Sequence, residues 1–185
     1  MATTAAPYGL KPVKRVDGMP YAGAVTEFLV DPAGTTANIY NGSIVYISGG
    51  YVTPATDAAT AADPLVAAVG VFVGCEYFNA QGQLIHSQYY PTGTTGVVRA
   101  KVVTDPMVLF QAQSSGSIAQ AEVGIEVGLN SATQTGSTVT GNATNSVGAA
   151  ADGGASLTVV EIVSTPGDAY TDVLVKINSG VHKFG

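Results

Sequence analysis

The residues able to carry catalysis are few in this chain of 185 amino acids, and they lie far apart along it. The histidines are His86 and His182, and Cys75 is the single cysteine. A Ser-His-acid triad can assemble from remote residues, but no G-x-S-x-G turn is available to present a serine. Cys75 lies within an apolar run and is predicted to be a buried small hydrophobe. We therefore predict no catalytic residue and do not expect an enzyme.

Metal ligands and paired carboxylates give no stronger signal. The histidines and the cysteine lack the close spacing of a zinc site. Asp152 is a single carboxylate before two glycines, which is more typical of a turn than of a calcium loop. Glu122 and Glu126 are four positions apart, but Gly124 between them weakens a shared helical face. We predict no metal, no cofactor and no small-molecule substrate.

The composition excludes further classes of protein. Charged residues make up 11% of the chain and its net charge is -6, and no lysine or arginine occurs from Val16 to Val98. Nucleic-acid binders instead cluster their cations. The longest apolar run, from Leu65 to Cys75, is far shorter than the roughly 20 residues of a membrane helix. The first residues lack a signal-peptide pattern, so we expect synthesis in the cytoplasm. So few charges predict that part of the surface is hidden against a partner.

The N-terminal segment differs from the remainder in charge. Three of the seven basic residues lie within the first 15 positions, beside prolines and without a core pattern. We interpret residues 1–24 as an extended arm that can align on an acidic neighbour, with tyrosines as anchors. The alternatives are a solvated tail and, for the tyrosines, packing against the domain's own edge. The candidate contact residues are Tyr8, Lys11, Lys14, Arg15 and Tyr21.

Strand signals dominate the remaining sequence, residues 25–185, which we predict to be a single β-rich domain. Alternation with a period of two and regular turn residues indicate about nine strands, hence an antiparallel β-sandwich or β-barrel. The turn at residues 79–82 predicts a hairpin. The clearest strands are residues 26–30, 43–48, 69–78, 84–90, 96–104, 108–111, 156–163 and 172–178.

Finer features of this domain follow from local patterns. In the strand at 69–78, the alternate residues from Val69 to Tyr77 are predicted to share one face. Arg99 and Lys101 are predicted to share a solvent-facing side of the strand at 96–104. Ser117 and Gln120 fit a capping box, which allows one helix of two turns at most. Residues 131–155, nearly all small or polar, are predicted to form an extended surface excursion or an arm ordered only by a neighbour, and residues 57–63 a smaller polar loop.

Five strings of residues in this chain are similar to strings found in a known protein family. They are APYGLKPV and GMPYAGA near the N-terminus, GVFVGCEYFNAQGQLIHSQYYP and DPMVLFQAQ in the middle, and GDAYTDVLVKIN near the C-terminus. The similarity runs from Ala6 to His182. This sequence resembles a family of tailed-bacteriophage virion proteins, the capsid decoration or cement proteins found in marine and freshwater phages.

The resemblance implies a structural virion protein that decorates and stabilises the phage head. It implies binding to the outside of the major capsid protein shell at subunit junctions, as a homotrimer, and it brings no catalytic residues. With the arm as the capsid contact, deletion of residues 1–15 is predicted to leave a folded domain that no longer binds capsids. Binding through the arm is also predicted to weaken as salt rises.

Two other functions are considered beside this one. The first is a head fibre or adhesin-like virion protein with a carbohydrate-binding surface, in which tyrosine rings stack on sugars. Its candidate residues are Tyr77, Tyr89 and Tyr90. The second is a β-sandwich hydrolase acting on glycans or peptidoglycan. Its candidate residues are His86, Glu122, Glu126 and Asp152.

Overall fold

The computed structural model describes residues 4–31, 33–55, 68–130, 134–148 and 156–184. Within these ranges the chain forms thirteen strands and one short 3-10 turn, so the predicted mainly β class is confirmed. The strands are β1 (Lys11–Arg15), β2 (Thr26–Val30), β3 (Ile39–Tyr40), β4 (Ile44–Ser48), β5 (Tyr51–Pro54), β6 (Ala68–Phe78), β7 (Leu84–Ser87), β8 (Tyr89–Tyr90), β9 (Val98–Val103), β10 (Val108–Gln113), β11 (Glu126–Val127), β12 (Leu157–Ile162) and β13 (Asp172–Ile177).

Five of the strands close into a barrel. Their order is β4-β5-β2-β9-β6, and pairing of β4 with β6 closes the ring. Neighbouring strands are antiparallel except β2 and β5, which are parallel. The first half of β6 pairs with β4, whereas its last residues, which still pair with β9, form a hairpin with β7. This hairpin is the one predicted around residues 79–82, and it is confirmed.

A second, five-stranded antiparallel sheet covers one side of the barrel. Its order is β1-β10-β13-β12-β11. One core fills the barrel and a second lies between the barrel and this sheet. Consecutive residues of a strand point to opposite faces, so they enter different cores. The pairs are Ile44 and Val45, Val71 and Phe72, and Val103 and Val102, with the first of each pair between the layers.

This double burial accounts for part of the low charge. A strand that is covered on both faces must be apolar at nearly every position, and β6 is buried from Ala68 to Phe72. The low charge content predicts a surface hidden against a partner. In β6 the apolar residues are instead covered by the chain itself.

The prediction that the alternate residues of β6 share one face is wrong, because the strand contains a β-bulge. The register with β9 shifts between Phe72 and Gly74, and an extra residue moves the following side chains to the other face. Val71 therefore packs between the layers, whereas Cys75 lies inside the barrel. In β9 the predicted alternation holds, with Arg99 exposed and its two neighbours, Val98 and Ala100, buried.

The N-terminal segment belongs to the second sheet and does not form a separate arm in the described residues. β1 pairs with β10 from Lys11 to Arg15, and the backbone N–H of Ala6 donates to the side chain of Gln113 at 2.7 Å. Leu10 is only 1% exposed and lies in the core between the layers. The segment packs on the domain because Leu10 contributes a large apolar side chain to this core. The prolines and charges of the segment did not indicate such packing.

The predicted surface excursion at residues 131–155 also differs from the structure where it is described, at residues 134–148. Gln134 is buried, accepts the backbone N–H of Ile44 at 2.7 Å and donates to the carbonyl of Ala55 at 2.6 Å. Ala143 and Val147 are fully buried. Small side chains let this segment approach the body, and amide side chains satisfy backbone groups there. Residues 131–133 and 149–155, like the loop predicted at 57–63, lie outside the described residues.

The predicted short helix is a single 3-10 turn, Gln120–Glu122. The capping box predicted from Ser117 and Gln120 lies two residues too early. The carboxylate of Glu122 accepts the backbone N–H of Ala119 at 2.5 Å, and Gly124 follows at a φ of 95° that ends the turn.

Candidate interaction surfaces

The cations of the predicted contact segment have partners within the same chain. The ammonium of Lys14 lies 2.5 Å from a carboxylate oxygen of Glu161 on β12. The guanidinium of Arg15 lies 2.8 Å from Asp105, just before β10, and 3.2 Å from Asp17. These two charges are therefore already neutralised where the segment crosses its own sheet. To bind an acidic neighbour, they would have to give up these internal carboxylates and pair with carboxylates of the neighbour.

The remaining contact candidates are also anchored on the domain. The hydroxyl of Tyr8 donates to Asp172 at 2.9 Å, and the ammonium of Lys11 lies 4.8 Å from the centre of the Tyr8 ring. Burial, together with the Asp172 carboxylate, raises the pKa of Tyr8. Tyr21 donates to the carbonyl of Ala24 at 3.0 Å, and burial raises its pKa too. For both tyrosines the alternative of packing against the domain's own edge describes the structure.

The two histidines occupy different surroundings. His86 lies on β7 with most of its side chain exposed, and its Nδ1 is 3.6 Å from a carboxylate oxygen of Glu76. His182 is only 4% exposed, and its Nδ1 accepts the backbone N–H of Phe184 at 3.1 Å. Burial lowers the pKa of His182. The chain uses His182 as a buried hydrogen-bonding group.

The other residues considered for chemistry are engaged in structural contacts. Burial raises the pKa of the Cys75 thiol to about 12, so the nucleophilic thiolate is suppressed. Glu122 caps the 3-10 turn, and Glu126 accepts the side-chain amide of Asn178 at 3.1 Å. Asp152 lies outside the described residues. Across the described ranges, no group of three or more His, Cys, Asp or Glu residues is arranged to hold a metal ion. Nor does any helix there have the length and apolar character to cross a membrane.

The three tyrosines proposed as sugar-stacking platforms do not form a common exposed surface. Tyr90 is fully buried in the barrel core, so its assignment to a platform is wrong. The ring of Tyr89 is stacked on that of Tyr40, with centroids 5.8 Å apart. Tyr77 is half-buried and packs against the barrel core.

The outward side of the barrel carries exposed apolar side chains that the sequence analysis did not single out. Leu84 on β7 pairs with Phe78 on β6. On the other side of β6, Val97 lies opposite Phe78, because Val98 of β9 pairs with Tyr77 and the two strands are antiparallel. Residues paired across strands point to the same face, and these three are 50%, 60% and 64% exposed in the order Leu84, Phe78 and Val97. We refer to them as the apolar row.

Charged residues next to the apolar row cancel one another. Glu76 pairs in register with Arg99 and with His86, and the ammonium of Lys101 lies 3.5 Å from the Glu76 carboxylate. The Arg99 guanidinium lies 3.6 Å from Glu27 on β2. With two acids and two cations, this side of the barrel is close to neutral in a chain of net charge -6. We refer to the apolar row and these charged residues together as the outer face.

A signal for the apolar row was present in the sequence. Alternation places Tyr77 and Phe78 on opposite faces, and the turn at residues 79–82 brings Leu84 opposite Phe78, but neither pattern indicates which face is exposed. The chain matches no protein-family model, no curated protein and no solved structure. Functional interpretation therefore depends on these surfaces and on the resemblance in the sequence.

Proposed function

We propose that this protein is a structural component of a phage head. It decorates and stabilises the head by binding the outside of the major capsid protein shell at subunit junctions, as a homotrimer. The observation that carries the proposal is the apolar row on a neutral outer face. Clustered exposed apolar side chains are typical of surfaces that bind other proteins. The capsid partner and the trimer come from the resemblance.

The backbone that carries Phe78 and Leu84 is held in place by the barrel and by the turn between them. Phe78 is the last residue of β6, whose earlier part is built into the barrel wall. The turn after it is braced by Asn79, whose backbone N–H donates to Gln83 at 3.0 Å and whose side chain accepts the N–H groups of Gln81 and Gln83. A preformed surface loses little conformational entropy on binding.

Many weak contacts are sufficient for a protein that coats a shell. Covering the exposed half of a large apolar side chain contributes on the order of 1 kcal/mol. Three such side chains give a modest contact per copy. Copies that are joined to one another on a symmetric shell then bind together, and their combined affinity far exceeds that of one copy.

The positions of the other candidates support a structural role. Cys75 and His182 are buried, and Glu122 and Glu126 hold other parts of the chain. The N-terminal cations are paired internally, so in this proposal the apolar row replaces the N-terminal segment as the shell contact. We do not propose the head-fibre alternative, because burial of Tyr90 removes part of its predicted sugar platform.

The test is binding to shells of the phage that encodes the protein, assembled without it. Wild-type protein should co-sediment with the shells, and Phe78→Ser should bind at least about tenfold more weakly. The matched control is Val163→Ser, which changes another exposed apolar residue next to β12 on the second sheet and should bind like wild type. Equal binding by Phe78→Ser and wild type, or no binding of the wild type, contradicts the proposal.

Salt separates the two candidate surfaces. Exposed ionic contacts are largely screened between about 0.1 and 1 M salt, whereas apolar contacts are not weakened. Binding through the apolar row should therefore persist in high salt. Binding that disappears as salt rises favours the N-terminal cations instead.

A further inference from the structure

β7 is an open edge of its sheet. It pairs with β6 on one side only. Among the described residues, the backbone groups of Leu84, Ile85 and His86 form no hydrogen bond outside the β6–β7 hairpin. The turn at residues 137–141 lies beside the end of this strand, where Gly141 packs on Gln88 and the turn shares a cleft with His86 and Ser87, and it leaves Leu84 and Ile85 uncovered. An open edge presents unpaired N–H and C=O groups to which another strand can add.

The ends of the second sheet are protected in ways that β7 is not. β1 is covered by the returning chain, since the N–H of Arg15 donates to Met19 at 2.8 Å and the N–H of Tyr21 donates to Val13 at 3.3 Å. β1 also contains a bulge and three cations. At the other end, β11 has only two residues. Short, bulged or charged strands discourage pairing with another chain.

The side chains of β7 offer no such protection. Its sequence, Leu-Ile-His-Ser, contains no lysine, glutamate or proline, and its register with β6 is regular. Leu84 and His86 are exposed on the outer face, and Ile85 is half-buried on the other. Such a strand is well formed for pairing.

We propose that β7 pairs antiparallel with β7 of a second copy of this chain. Antiparallel pairing of a strand with its own copy has two-fold symmetry, which closes after two copies. Electrostatics favour this partner here, because the charges nearest β7 are those of the outer face, where Glu76 is matched by Lys101 and Glu27 by Arg99. Two acidic chains can therefore approach at β7 without bringing like net charges together.

The pairing has a geometric consequence for the apolar row. The two-fold axis of an antiparallel strand pair is perpendicular to the sheet, so both outer faces lie on the same side. The apolar rows of the two copies then lie on the same side of the joined sheet, one on each side of the axis. A two-fold contact joins copies in pairs, so in a homotrimeric protein it links separate trimers. The inference concerns the protein free of shells and goes beyond the proposed function.

The first test is cross-linking of the full-length protein in solution without shells. A short bis-maleimide should join His86→Cys into covalent dimers, because the two residues 86 lie on neighbouring strands across the axis. Cys75 is buried and remains in both proteins. The control is Thr165→Cys, an exposed position in the loop between β12 and β13, which should remain uncoupled. No dimer, or equal yields at both positions, overturns the proposal.

The second test is sedimentation of wild type and His86→Lys over a range of concentrations. A lysine on each β7 adds like charges at the joint and should weaken the association at least about tenfold. Thr165→Lys, with the same added charge elsewhere, should behave as wild type. If circular dichroism shows His86→Lys to be unfolded, Leu84→Lys replaces it. Wild type that does not associate at any concentration, or association unaffected by the lysine, overturns the proposal. Failure of either test leaves shell binding by the apolar row to be judged separately.

Discussion

The N-terminal segment and the outer face of the barrel differ in how their side chains are satisfied. The N-terminal cations Lys14 and Arg15, which suggest contact with another molecule, are paired with carboxylates of their own chain. Phe78 and Leu84, which suggest an ordinary hairpin, remain exposed. An isolated charge pattern therefore indicates that a contact exists, but it does not indicate whether the partner is in the same chain.

Physical chemistry explains the difference. A cation beside an acidic body finds a carboxylate without the loss of translational freedom that binding a second molecule requires. Phe78 and Leu84 have no such internal partner, because they lie on the face of the hairpin opposite to Tyr77, which packs against the barrel core. Such a surface becomes covered only when another molecule binds.

The largest effect is expected for Leu10, which joins the N-terminal segment to the core. Leu10→Ala removes a fully buried side chain and should lower the free energy of unfolding by about 2–5 kcal/mol, measured by urea denaturation. The matched control is Leu84→Ala, because Leu84 is half-exposed in the apolar row. It should change stability by no more than about 0.5 kcal/mol.

The same pair of variants decides between the two views of the N-terminus. A separate arm requires Leu10→Ala to be as harmless as Leu84→Ala, and deletion of residues 1–15 to leave a folded domain. The packing of Leu10 and the pairing of β1 with β10 instead lead us to expect that the deletion prevents stable folding. Equal stability of the two leucine variants contradicts this expectation.

A smaller effect is expected for the Tyr8 hydroxyl, which donates to Asp172. Tyr8→Phe leaves a partly buried carboxylate without this donor and should cost about 1–2 kcal/mol of unfolding free energy. Tyr51→Phe, at an exposed ring on β5, is the control and should be neutral within about 0.5 kcal/mol. Thermal and urea unfolding of both variants measure the difference. A neutral Tyr8→Phe indicates that this contact does not hold the segment.

Local patterns were sufficient to predict most of the strands but not their partners. The runs in β2, β4, β9 and β13 combine apolar alternation with clear turn residues, and each strand is confirmed. The contacts of β1 join residues far apart in sequence, with 147 positions between Lys14 and Glu161 and 164 between Tyr8 and Asp172. Such pairings depend on the whole topology, which a local pattern does not contain.

The apolar row was missed for a related reason. Alternation assigns the residues of a strand to two faces, but it does not state which face is covered. In β6 both faces carry apolar residues. The bulge near Val73 changes which alternate residues face the barrel core, partway along the strand. Only the closed barrel shows that Phe72 faces a core and that Phe78, six positions later, faces solvent.

A still smaller effect is expected for the ion pair of Lys14 and Glu161, since both side chains are more than a third exposed. A double-mutant cycle with Lys14→Ala and Glu161→Ala should give a coupling energy of about 0.2–1 kcal/mol. The coupling should shrink in about 1 M salt, where exposed charges are screened. A coupling of zero at low salt means that Lys14 is available to a partner, and this result restores the N-terminal segment as a candidate contact.

The smallest effect on stability is expected for Phe78→Ser, although this variant should lose most of its shell binding. Phe78 is 60% exposed, so its replacement should change the free energy of unfolding by no more than about 0.5 kcal/mol. Phe72→Ser, on the same strand but fully buried, should be destabilised by 3 kcal/mol or more, roughly the cost of emptying a buried phenylalanine site. If Phe78→Ser also loses more than about 1 kcal/mol, the side chain supports its own hairpin. The weaker shell binding must then be attributed to a disturbed hairpin, and the apolar row no longer contrasts with the internally satisfied N-terminal segment.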